Sequence, residues 1–103
     1  MRESLAMGYY LLFYDVVDDF VARRAPYREE HLGLARAAHA RGDLVMGGAL
    51  GEPADVALLL FRARDASTAK GFARDDPYVR NGLVVRWRVR PWAIAVGEAP
   101  GNS

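Results

Sequence analysis

The stretch GYYLLFYDVV, residues 8–17, decides the fold. It is aromatic or aliphatic almost throughout, with the turn-forming pair Asp18 and Asp19 behind it, and it reads as a strand. Alternation sends Tyr9, Leu11 and Phe13 to one face and Tyr10, Leu12 and Tyr14 to the other. Both faces are apolar enough to be buried, so this strand needs cover on each side.

Outward from it, APYREEHLGLARAAHARGD at 25–43 reads as a helix. Pro26 suits its first turn, Glu29 and Glu30 lie near the positive end of the dipole, and Arg41 lies near the negative end. Gly42 supplies the stop. At about 100° per residue, Tyr27, His31, Leu34, Ala35 and Ala38 share one arc, which points His31 inward and leaves His39 on the flank beside Leu32. DLVMGGAL at 43–50 reads as a second strand, in which Gly47 and Gly48 mark a bulge or a close backbone approach. GEPAD at 51–55 is a turn and VALLLFRA at 56–63 a third strand. DASTAKGFARDD at 65–76 reads as a shorter helix, with Asp65 or Ser67 as its cap and Pro77 ending it. In LVVRWRVRPWAIAV at 83–96, Val85, Trp87 and Val89 alternate with Arg86, Arg88 and Arg90, the pattern of a strand. Pro91 implies an edge position, a bulge or a change of direction.

The order is β-α-β-β-α-β, an α+β pattern of the ferredoxin-like kind: an antiparallel four-stranded sheet with both helices on one face. Two helices cover only that face. The first and third strands are apolar on both sides, so the second face calls for the same sheet from another copy, a homodimer with two-fold symmetry. Residues 1–7 read as a flexible leader and 97–103 as a flexible tail, leaving one domain over 8–96.

Composition agrees. An apolar fraction of 51% is high for 103 residues, too much for a small interior to hide. A net charge of +1 argues against a general nucleic-acid binder. There is no cysteine, hence no disulfide framework, thiolate zinc site or cysteine nucleophile. The longest apolar run, VALLLF at 56–61, is far too short to span a bilayer, and MRESLAMG carries no apolar signal segment. A soluble cytoplasmic protein is the expectation.

Two constellations carry candidate chemistry. His31 on its inward arc and a carboxylate from ARDDPYVRNG at 73–82 would lie on the same sheet face, where Asp75 or Asp76 would orient the imidazole for acid–base work. The plainer reading makes His31 a core histidine and the two aspartates helix-end and turn residues. The row Arg86, Arg88 and Arg90 either lines a groove that takes an anion or faces water and protects an edge. Arg28, one turn before His31, would hold an anion beside it or belong to the surface, and Tyr78 would offer a hydroxyl to a pocket or serve as a packing anchor. His31 and His39 stand two turns apart with no glutamate in zincin spacing, so no metal site is expected.

These residues resemble the YciI-like (YCII-related) family. The matching features are Arg28, His31 and Leu32 on the first helix, Gly42 at its exit and Gly48 on the second strand, then Asp76-Pro77-Tyr78 and finally Pro91-Trp92. The resemblance implies a dimeric α+β barrel whose site is built on His31 and Asp76, with Asp75 a bystander. It implies activities such as the dehydrochlorination of a chlorinated hydroxyquinol. Ala49 stands where the family has proline after the second-strand glycine, at the pocket wall. The expectation is thus a small enzyme of the lyase, isomerase or dehydrohalogenase type acting on a small cyclic or aromatic acid. His31 and Asp76 would be its catalytic residues, Arg28, Gly48 and Tyr78 its substrate-binding residues, and no cofactor would be required. The alternative is a non-catalytic dimeric module that binds a small ligand or a partner protein.

Overall fold

The computed structural model of the chain describes residues 6–98. The expected leader and tail lie largely outside these residues. β1 (Gly8–Val16) is followed by a short helix α1 (Phe20–Arg23), a 3₁₀ turn over Ala25–Tyr27, and the long helix α2 (Arg28–Ala40). β2 (Leu44–Leu50) and β3 (Val56–Ala63) form a hairpin, α3 (Ser67–Asp75) and α4 (Pro77–Arg80) follow, and β4 (Val84–Trp92) closes the sheet. The strand order is β2-β3-β1-β4, with every adjacent pair antiparallel. This is the ferredoxin-like α+β fold, with α2 packed over β2 and α3 over β1, β3 and β4.

Register fixes which residues meet the helices. Leu12 pairs with Leu59 and Val89, Tyr14 with Ala57 and Trp87, and Tyr10 with Phe61. Leu12, Tyr14, Leu59 and Phe61 are buried in one core with Ala38, Phe72 and Leu83. The alternate set, Leu11 and Phe13 of β1 with Leu58 and Leu60 of β3, lies on the face without helices. The arginine row shares that open face: Arg88 pairs with Phe13, its guanidinium 4.4 Å from the ring centroid, and Arg86 with Asp15, whose carboxylate it bonds at 3.0 Å. Within the chain, Arg86 and Arg88 therefore already have partners on that face.

Element ends differ from the sequence expectation where local chemistry intervenes. The 25–43 helix begins at Arg28, because Pro26 starts a separate 3₁₀ turn. It ends where Gly42 adopts a φ of +89°, a conformation an L side chain resists. The residues behind Asp18-Asp19 make α1 rather than only a turn. The 65–76 helix spans 67–75, with the Asp65 carboxylate accepting from the Ser67 amide at 2.9 Å. The last strand stops at Trp92 rather than 96, and Pro91 sits within it on an edge strand, where a missing N–H is tolerated. The bulge in β2 falls between Leu44 and Met46, just ahead of the glycine pair, while Gly47 makes the close approach: a Cβ there would lie 3.3 Å from the Leu59 side chain.

Candidate active site

The Asp76-Pro77 step builds the centre. A residue before proline is pushed out of the helical region, and Asp76 has φ −72° and ψ 125°, which ends α3. Pro77 then starts α4, where its missing N–H costs nothing. The reversal turns the Asp76 carboxylate inward, where it is fully buried. Three donors meet it there. The Tyr78 amide donates to Oδ1 at 3.0 Å, capping α4, and the Tyr14 hydroxyl donates to Oδ2 at 2.7 Å. The third is His31, whose Nδ1 lies 3.0 and 2.9 Å from the two oxygens.

An ionised carboxylate only accepts, so Nδ1 donates to it, and in the tautomer with its proton on Nδ1 the imidazole keeps a lone pair on Nε2. Nε2 makes no hydrogen bond, yet it is not among the buried unpaired atoms, so it reaches solvent. Helix α2 supplies this placement, since His31 lies on the same inward arc as Leu34, Ala35 and Ala38, all packed in or against the core. The imidazole stacks on the Tyr78 ring, centroids 4.0 Å apart and planes 13° from parallel, and Phe20 lies nearly perpendicular to Tyr78 with centroids 5.3 Å apart.

Beside this pair is a cavity of about 410 Å³, open to solvent on one side. His31 and Tyr78 line it together with Arg24, Arg28 and the backbone of Gly47 and Gly48. Its other walls are apolar, among them Leu32, Leu44, Ala57 and Leu59. The Tyr78 hydroxyl is buried with no hydrogen-bond partner, the one such side-chain atom among the described residues. Burial pushes its pKa up, while the charge of Arg28, the close approach of its guanidinium to the phenol oxygen and then the charge of Arg24 pull the other way. Arg28 is thus the nearest cationic group to the phenol oxygen. Burial, then the Asp76 charge and the hydrogen bond to it, hold the Tyr14 phenol well above the usual tyrosine range, so it stays a donor.

All five residues singled out in the sequence come to this place. His31 and Asp76 are in contact, Tyr78 is stacked on His31, and Arg28 and Gly48 line the cavity. Asp75 is exposed, and His39 bonds the Leu44 carbonyl at 2.8 Å, away from the site. Sequence reasoning missed Tyr14 and Arg24. The hydroxyls on the inward face of β1 were the available signal for Tyr14, because a buried tyrosine needs a partner. Arg24 lies between the Asp18-Asp19 turn and the helix expected from residue 25, and nothing in the pattern pointed to it.

No curated protein matches the chain. Among solved structures it is similar to a 5-chloro-2-hydroxyhydroquinone dehydrochlorinase from Burkholderia phenoliruptrix AC1100, in complex with 2,5-dihydroxybenzoquinone, with 17% identity over 84% of this chain and 95% of that one and a TM-score of 0.70. It is also similar to an uncharacterized NIPSNAP-like domain protein from Burkholderia xenovorans, with 15% identity over 91% and 90% of the two chains and a TM-score of 0.55. At these identities the likeness is one of fold. The model of the YCII-related domain matches residues 7–93, nearly the whole of the described chain, and the protein belongs to that family.

Proposed function

We propose that this is a small acid–base enzyme of the lyase, isomerase or dehydrohalogenase type, acting on a small cyclic or aromatic acid. One observation carries the reading: His31 has one ring nitrogen held by a buried carboxylate and the other free at a cavity. Nε2 takes a proton from a carbon next to a carbonyl or an equivalent activated position. The C–H pair moves into the ring as an enolate, and Asp76 stabilises the imidazolium that forms. The enolate then either expels a halide or takes the proton back at another carbon. Proton transfer of this kind needs only a base of suitable pKa and a donor opposite it. Arg28 holds an anionic substituent, Tyr78 offers its hydroxyl, and Gly48 contributes backbone to the wall.

The dehydrochlorinase among the structural neighbours supports this class of reaction. A homodimer is part of the proposal. Met46, Leu50 and Trp92 on the open face are 51, 48 and 45% exposed, and a second copy of the sheet is the cover they call for. None of the described helices is long and apolar enough to cross a membrane, and the proposed setting is the cytoplasm.

The test incubates the protein with chlorinated hydroxyhydroquinones and cyclic keto acids in deuterated water, following chloride release and loss of C–H signal by NMR. Turnover that falls by about 10²–10⁴ in His31→Gln is the expected result. Turnover indifferent to that change, or none with either substrate class, overturns the reading.

A further inference from the structure

Around the Tyr78 hydroxyl, the cavity brings two guanidinium groups and no carboxylate to its lining. The hydroxyl itself is buried and unpaired, a costly condition that proteins tolerate where a ligand completes the bond. Arg24 follows α1 and Arg28 opens α2; both line the cavity, and neither pairs with a carboxylate among the described residues. The face of the Phe20 ring lies 5.4 Å from the Arg24 guanidinium carbon and steadies that side chain without neutralising it. The remaining walls are largely apolar, and a cavity of about 410 Å³ has room for a single ring.

We infer that Arg24, Arg28 and the Tyr78 hydroxyl form a carboxylate clamp, and that the ligand of this cavity is a planar carboxylic acid bound in its ionised form. The inference rests on the cavity being the substrate site proposed above. It adds Arg24 and the ligand's charged group, and it favours a carboxylate over a neutral quinone or phenol. Two guanidinium forks match the paired oxygens of a carboxylate, which neutral rings do not offer. Because burial outweighs the two arginine charges at Tyr78, its phenol keeps the proton it would donate. The His31 imidazole, stacked on the Tyr78 ring, then stands beside the same bound ring with Nε2 free.

Calorimetric titration of benzoate and of its neutral counterpart benzamide tests this, with the His31 imidazole ¹⁵N shifts followed in parallel. Benzoate is expected to bind at least about tenfold tighter than benzamide. Arg24→Gln, Arg28→Gln and Tyr78→Phe are each expected to weaken benzoate roughly tenfold to a hundredfold and leave benzamide unchanged. Equal affinity for the two probes, or benzoate binding untouched by Arg24→Gln, overturns the clamp. If the His31 shifts respond to benzoate while both arginine variants bind as the wild type does, the clamp falls and the dyad pocket stands. If the arginines matter but the His31 shifts stay still, the clamp stands and the acid–base reading falls.

Discussion

The two faces of this sheet are drawn from alternate residues of the same strands, and they treat polar groups in opposite ways. On the helix-covered face, the Asp76 carboxylate is removed from water and compensated by three donors, and Tyr14 and Tyr78 bring further hydroxyls into the interior. On the open face, Asp15 meets Arg86 and Arg88 lies over Phe13, all partly in contact with solvent. Surface pairs of this kind contribute little, because water competes for each partner. The buried pair has no such competitor, so its geometry is held by every group around it. The cavity and the directed imidazole belong to the first face, and the exposed apolar area belongs to the second.

The sharpest way to break this contrast is a matched pair of truncations. Phe61 is 1% exposed on the covered face and tilts against Phe72 at 5.5 Å, whereas Phe13 is half-buried on the open one. Phe61→Ala is expected to cost about 3–5 kcal/mol of folding free energy by urea denaturation. Phe13→Ala, measured at low protein concentration, is expected to cost less than half of that, about 1–2 kcal/mol. Equal losses would mean that the two faces are packed alike.

Tyr14→Phe sharpens the same contrast with a smaller effect and a sign that depends on pH. The change keeps the ring and removes one donor to Asp76, at a cost of about 1–2 kcal/mol near neutral pH. Folded Tyr14 holds its proton far above the ordinary range, while in the unfolded chain it ionises near pH 10. Above about pH 10 the native state therefore binds more protons than the unfolded state, and the contribution of Tyr14 to stability falls by about 1.4 kcal/mol for each further pH unit. Wild type and Tyr14→Phe are expected to differ in urea midpoint at pH 7 and to converge about one unit above pH 10. A difference that persists unchanged at pH 11 would place the hydroxyl outside the buried network.

Much of the covered face was legible in the sequence, because period is a strong signal there. The inward arc of α2 brought His31 to the correct side, and the Asp76-Pro77-Tyr78 turn announced a break in the helix with a carboxylate at it. What periodicity alone left open was the pairing of two residues on different helices. The family resemblance named Asp76 over Asp75, and the backbone turn before Pro77 gives the physical reason: it buries one aspartate and leaves its neighbour in water. α1 and α4 escaped because each spans only four residues, too short for any period to show. Arg24 escaped with α1. Tyr14 was placed on the right strand, but its partner comes from the junction of α3 and α4 above the sheet, and no local pattern encodes that bond.

The open face offers the smallest effect on folding and the clearest effect on assembly. Met46, Leu50 and Trp92 rim a groove of about 380 Å³ floored by Leu11, Leu58 and Leu60. If a second copy covers this groove, a charge placed there is buried without a partner in the dimer but remains solvated in the monomer. Met46→Lys is therefore expected to change monomer stability by no more than about 0.5 kcal/mol, since its side chain is already half exposed. The same change is expected to convert a dimer into a monomer at micromolar concentration in sedimentation velocity. A wild type that sediments as a monomer, or a Met46→Lys protein that stays dimeric, would remove the second copy from this face. The covered face is predicted not to notice: the distances around Asp76 depend on α2, α3 and β1, and Met46 points away from all three.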